Sequence, residues 1–348
     1  MNKLYVAAVE EKAGKTFLAV GLCRALAARG GTCSYCKPVG RANIYRQGRP
    51  FDRDGEVVAQ ALGLSVPEEL VGLVGGELPR SWTPPAGAWE RIESLAQGTA
   101  DVLVLEGREW LGRGMFSGLW DATLAAHLEA PLLLVARYRG ESTVDQVLTA
   151  SRLVGDDAQL LGVVLNEVSV DTELEEVRAY VAPYLEETGI PVLGVVPFER
   201  RLRAVRIGHL VEALGGELLV TGVLDAEVER FLVGAMREES ALRHMRRIPG
   251  QLAVVTGGDR TDIQSAALAV PRVRALILTG GLRPERAVLT EAAERNVTVV
   301  LVAQDTMTVA EGAERLVGRA PLGSDQLALV DGLIADGLEL DRVLELLG

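Results

Sequence analysis

A chain of 348 residues is longer than one ordinary core and suits two, since single domains usually run to about 100–200 residues. Apolar residues make up 48% of the chain but aromatics only 4%, so its cores must be built from Leu, Val and Ala, as sheets covered by helices are. The net charge of -12 speaks against nucleic acid or an anionic membrane surface as the main partner, because either needs clustered positive charge.

In chain order, short apolar runs alternate with stretches of helical period. Strands are expected at residues 4–9, 32–37, 101–106, 131–136, 160–166 and 192–197, and helices at 16–28, 54–62, 143–153 and 172–187. This is the pattern of βαβ units around a parallel sheet. A Gly- and Pro-rich stretch from Gly75 to Gly87, carrying Trp82, reads as a long loop or lid. After Pro197 four arginines stand among few apolar residues, and a new helical pattern begins near His209. The boundary is therefore placed at 204/205, with strands of the second unit at 252–256, 273–279 and 297–303. The expected fold is α/β, a P-loop parallel sheet with flanking helices over 1–204 followed by a smaller α/β domain over 205–348.

No apolar run reaches the roughly 20 residues of a membrane span. No basic and apolar leader opens the chain either, so a cytoplasmic protein without a signal peptide is expected. The 3 cysteines are too few for a disulfide framework, and Cys33 and Cys36, in an apparent strand, are read as buried structural thiols. His127, His209 and His244 are too scattered to suggest a metal centre or triad.

Between the first strand and the first helix lies Glu10-Glu11-Lys12-Ala13-Gly14-Lys15-Thr16. Main-chain N–H groups and a helix N-terminus there can cradle phosphate. Lys15 is suited to the β and γ phosphates, and the Thr16 hydroxyl to Mg2+. The early glycine of the usual loop is replaced by Val9. Lysine is rare, with only Lys3, Lys12, Lys15 and Lys37, and two of these fall at strand ends, where a compact ammonium fits a phosphate cage. Glu106 closes the run Val102-Leu103-Val104-Leu105 as a metal-binding acid would, with simple strand-end solvation as the alternative. Asp54 starts a helix, where it would serve the metal or cap the helix, and Asp52 is its rival.

The series Gly14-Lys15-Thr16, Lys37-Pro38-Val39-Gly40, Asp54, Glu106-Gly107, Gly162-Val163-Val164-Leu165-Asn166 and Leu193-Gly194-Val195-Val196-Pro197 resembles dethiobiotin synthetase. It is similar still more closely to the dethiobiotin-synthetase-like N-terminal domain of long bacterial phosphotransacetylases, over roughly residues 1–200. That resemblance implies that Lys15 and Thr16 hold phosphate and Mg2+, and that Lys37 faces the reacting phosphate and substrate. It also implies that Asp54 and Glu106 serve the metal, and that Asn166 contacts adenine. Arg108-Glu109-Trp110 replaces the small glycine-rich run expected beside the synthetase's substrate.

Downstream, Gly257-Gly258-Asp259-Arg260-Thr261 with Thr279-Gly280-Gly281 resembles the DRTGG domain. Gly258, Asp259, Arg260, Thr261, Gly280 and Gly281 are candidates for a ligand or interface, unless Asp259 and Arg260 pair to fix a turn. Pro284 suits a first helical turn, and Thr308 with Glu311 a capping box. This resemblance implies a regulatory or dimerising module. The chain ends at Gly348, so a complete phosphotransacetylase with its acyl-transfer domain is not expected. Three functions remain open: an Mg-ATP-sensing regulator, an ATP-dependent ligase acting on a small carboxylate, and a dimerisation protein. A homodimer is expected in each case.

Overall fold

The computed structural model describes every residue except 42–43, 47–48, 65–69, 75–83, 85, 156 and 317–321. Seven strands build the first sheet: β1 (Asn2–Ala8), β2 (Cys33–Gly40), β3 (Val71–Val74), β4 (Val102–Glu106), β5 (Leu132–Arg137), β6 (Leu160–Val168) and β7 (Val192–Pro197). They run parallel in the order β3-β2-β4-β1-β5-β6-β7. Unbroken apolar runs favour this arrangement, because a parallel sheet is covered on both faces, and every residue of β4 is buried. The covering helices are α1 (Lys15–Ala28), α2 (Arg53–Leu62), α3 (Ala88–Leu95), α4 (Asp121–His127), α5 (Glu141–Val154) and α6 (Ala182–Glu187). The turns Leu174–Glu176 and Val177–Val181 lead into α6.

The second sheet is mixed. Its elements are α7 (Ile207–Leu214), β8 (Glu217–Val220), β9 (Arg230–Val233), α8 (Glu238–Arg247), β10 (Leu252–Gly257), α9 (Thr261–Leu268), β11 (Val273–Thr279), α10 (Arg286–Glu294), β12 (Thr298–Leu301) and α11 (Thr306–Leu316). The strand order is β8-β12-β11-β10-β9, with β8 antiparallel to β12 and the other pairs parallel. Alternation along β10 and β11 feeds two cores, with Val254, Leu276 and Leu278 in one and Ala253, Val255, Ala275 and Ile277 in the other, as the two-residue period of a strand requires.

Several expectations need correction. The chain divides into residues 1–199 together with 321–348, and residues 200–320, so the last segment belongs to the first unit and not to the second. It forms α12 (Ser324–Gly337) and α13 (Leu340–Leu347). Helix α12 lies so close on α1 that a Cβ at Gly21 would come 2.3 Å from Ile334 Cγ1, and Arg24 holds Asp331 through two 2.6 Å hydrogen bonds. Cys23 and Cys33 form a disulfide between α1 and β2, which leaves Cys36 as a buried thiol whose pKa burial pushes up to about 12.

Two helix starts also differ from expectation. Asp305 caps α11 by accepting from Met307 N and Thr308 N, both at 3.0 Å, which places Thr308 inside the helix. Pro284 precedes α10, whose N-cap is Glu285. The expected loop from Gly75 to Gly87 falls largely outside the described residues. No helix among the described residues is long and apolar enough to cross a membrane.

Candidate functional site

The carboxyl ends of β1, β2, β4 and β6 meet beside the N-terminus of α1, where ligands bind in open parallel sheets. The loop after β1 turns into α1 through Gly14, at φ 105°, a conformation that only glycine takes at little cost. A Cβ there would also lie 2.1 Å from Asn166 Nδ2. No side chain caps α1, so its first-turn N–H groups are not consumed by a cap and suit an anion.

Lys15 is buried, and its Nζ donates to the main-chain oxygen of Glu109 at 2.9 Å. Burial lowers its pKa, against the opposing charges of Glu106 and Asp121. Thr16 Oγ1 donates to Glu106 Oε1 at 3.0 Å, and Tyr35 Oη donates to Glu106 Oε2 at 3.0 Å. Asn166, at the end of β6, donates from Nδ2 to Ala13 O at 2.8 Å, so the residue assigned to adenine by resemblance ties down the phosphate loop here. Glu10 lies 3.7 Å from Arg139 Nε through an Oε1 that makes no hydrogen bond.

Lys37 projects from β2 into a ring of acids. Its Nζ lies 2.5 Å from Asp54 Oδ2, 3.3 Å from Asp52 Oδ2 and 3.4 Å from Glu106 Oε1. Burial opposes its charge, but Asp54, Glu106 and Asp52 together outweigh burial and raise its pKa, so the ammonium stays charged. Burial also acts on Asp54, where Lys37 reverses it and lowers the pKa. In Glu106 and Asp52 burial prevails and the pKa is raised. The two rival aspartates divide the work. Asp52 caps α2, its Oδ1 accepting from Asp54 N at 2.8 Å and its Oδ2 from Arg41 N at 2.5 Å. Asp54 faces Lys37.

Three carboxylates around one ammonium leave surplus negative charge, and Thr16, Asp54 and Glu106 supply the hard oxygens that Mg2+ prefers. Among the described residues no three His, Cys, Asp or Glu side chains form a metal cage. Mg2+ suits such a site because it usually keeps waters and takes phosphate oxygens beside one or two carboxylates.

Asp121, at the first turn of α4, is a site residue the sequence reading passed over. Its Oδ1 accepts from Tyr5 Oη at 3.1 Å and Arg108 N at 2.9 Å, while the buried Oδ2 has no hydrogen-bond partner. Burial raises its pKa to about 6. The usable signal was an acid opening a helix, but α4 itself was not expected. Glu109 follows Arg108 in the chain, with Arg41 Nε 2.9 Å from Oε1 and Arg113 Nε 3.8 Å from Oε2.

In the second unit the candidate residues sit at the carboxyl ends of β10 and β11. Gly258 admits the passing backbone, since a Cβ there would be 1.6 Å from Leu282 O. Arg260 pairs with Asp262, at 2.9 and 2.8 Å, and not with Asp259. Thr261 Oγ1 donates to Glu285 Oε1 at 3.2 Å, and the N–H groups of Gly280 and Gly281 reach Gln304 O and Val302 O, each at 2.9 Å. These contacts join the loops that follow β10, β11 and β12. Nearby, the buried Gln264 donates to the carbonyls of both Gly257 and Gly258, at 2.9 and 3.0 Å.

Comparison with known proteins matches residues 2–206 to a family described as an AAA domain and residues 209–316 to the DRTGG domain. Phosphate acetyltransferase of Deinococcus radiodurans is 27% identical over 302 residues, covering 82% of this chain and 42% of its own length. The ATP-dependent dethiobiotin synthetase BioD of Nitrosopumilus maritimus is 20% identical over 210 residues, covering 57% of this chain and 90% of its own. The chain thus spans less than half the length of that acetyltransferase. Among solved structures, the CBS and DRTGG regulatory region of Clostridium perfringens pyrophosphatase, complexed with diadenosine tetraphosphate, is similar at TM-score 0.29 and 18% identity, covering 48% of this chain and 73% of that one.

Proposed function

Since the chain belongs to the AAA-domain family over residues 2–206, we propose that its first unit binds Mg-ATP and that the DRTGG unit passes the occupancy of that site to a partner protein. The observation that carries this reading is the convergence of Lys15, Thr16, Lys37, Asp54 and Glu106 at one helix N-terminus. Lys15 leaves the Glu109 carbonyl for the β and γ phosphates. Thr16, Glu106 and Asp54 hold the metal, which would neutralise charge on the same phosphate oxygens. Lys37, charged through its acids, faces the terminal phosphate. The protein acts in the cytoplasm as a homodimer, which a doubled mass by light scattering at micromolar concentration checks.

A second reading, an ATP-dependent ligase acting on a small carboxylate, is favoured by Lys37, a buried ammonium placed beside the metal-site acids. Turnover triggered by one small carboxylate would select it over the regulator. The nucleotide reading itself is tested by melting the full chain with millimolar Mg-ATP. A ligand at about 100 times its dissociation constant stabilises by about 2.7 kcal/mol, which amounts to a rise of several degrees. An unchanged midpoint would overturn it.

A further inference from the structure

Glu109 meets two cations of the phosphate site at once. Its main-chain oxygen accepts from Lys15 Nζ at 2.9 Å, and its carboxylate lies 2.9 Å from Arg41 Nε. One residue thus holds both the phosphate-loop lysine and Arg41. Arg41 sits just past Lys37-Pro38-Val39-Gly40, where Asp52 holds its main-chain N–H. The pair is also shielded, with side-chain exposures of 25% for Arg41 and 15% for Glu109, so it is stronger than an open surface pair.

Arg41 Nη2 also lies 3.8 Å from Oε2 of the exposed Glu11 in the phosphate loop, a longer contact than the one to Glu109, and the motif itself gives Arg41 no task. A guanidinium presents a planar fork matched to paired phosphate oxygens. Arg41 shares Glu109 with Lys15, and its charge also acts on Asp54, the acid bonded to Lys37, so it belongs to the cluster that would meet the far end of a triphosphate. Resting on the nucleotide reading above, we propose that Arg41 receives the terminal phosphate of a nucleoside triphosphate and that Glu109 occupies Arg41 until the triphosphate displaces it. A diphosphate takes Lys15 and leaves the Arg41–Glu109 pair closed. The pair therefore discriminates triphosphate from diphosphate.

Calorimetric titration of the full chain with Mg-ATP and with Mg-ADP tests this. Glu109→Gln keeps the shape of the side chain and removes its charge, so ATP should bind about fivefold tighter and ADP less than about twofold. Arg41→Gln should weaken ATP about tenfold and leave ADP unchanged, with Arg41→Lys between it and wild type. If Arg41→Gln melts early, the ATP to ADP ratio in Glu109→Gln decides. An equal ratio in wild type, Glu109→Gln and Arg41→Gln, with binding still lost in Lys15→Ala, overturns the role of Arg41 and leaves the nucleotide reading standing. Binding of neither nucleotide to wild type or Glu109→Gln overturns both.

Discussion

At Lys37 burial and charge pull in opposite directions and charge wins, because three carboxylates lie within 3.4 Å of its ammonium. Lys15 is different, since it donates to a neutral carbonyl and burial prevails. Moving Lys15 onto phosphate gives its ammonium a directly bonded counter-charge, so Lys15→Ala should weaken ATP binding at least about tenfold, or 1.4 kcal/mol. Glu106→Gln keeps the hydrogen bonds to Thr16 and Tyr35 within reach but lacks a charge for the metal. It should therefore lose the Mg2+-dependent part of the ATP affinity and retain binding in chelator, as titration with and without Mg2+ will show.

Asp121 permits a prediction with a definite sign. Its folded pKa of about 6 lies above the ordinary 3.8, so the native state holds the proton more tightly. Its contribution to stability falls as pH rises from 3.8 through about 6, and the penalty stays constant above that. Asp121→Asn cannot titrate. Its stability relative to wild type should rise by up to roughly 3 kcal/mol between about pH 4 and pH 7. Urea unfolding at both pH values that gave the same difference would refute the assignment.

Among the elements, α1 carries the most constraints. Its N-terminus forms the candidate phosphate site, Gly21 lets α12 pack directly on it, and the Cys23–Cys33 disulfide ties it to β2, the strand that carries Lys37. The bridge closes a loop of sequence separation 10, worth about 2–3 kcal/mol in the chain-entropy account. Refolding in reductant should lower the melting midpoint by several degrees, and Cys33→Ser should match the reduced wild type whether or not reductant is present. Equal midpoints for oxidised and reduced wild type would show that the bond contributes nothing.

Across the whole molecule the chain leaves its first unit at residue 199 and returns to it by 321. The second unit is therefore an insertion as well as a successor. Val330 and Ile334, both buried, lie on the α1 face that carries Gly21, and cutting them away exposes that face. A chain stopped after residue 204 should accordingly melt lower, or aggregate more, than one in which a short Gly-Ser linker replaces residues 200–320. Equal melting of the two would mean that α12 and α13 contribute little. Limited proteolysis is expected to cut first near 200–206, and cleavage inside β6 or β7 would sink that boundary.

The sequence by itself determined the βαβ alternation, the parallel sheet and the phosphate loop, because burial on both faces writes continuous apolar runs and helix starts write themselves locally. It also singled out Lys37, because lysine is rare in the chain, and Glu106, because it closes an apolar run. Short edge strands such as Val71–Val74, Glu217–Val220 and Arg230–Val233 left too few residues for a period to show. Tertiary structure alone decided what depends on distant partners. It divided Asp52 from Asp54 by which one reaches Lys37, placed Asp121 under Tyr5, turned Asn166 onto Ala13 and set Glu109 between Lys15 and Arg41. It also returned the last two helices to the first unit. A periodic pattern records that a face is buried, but not which surface buries it.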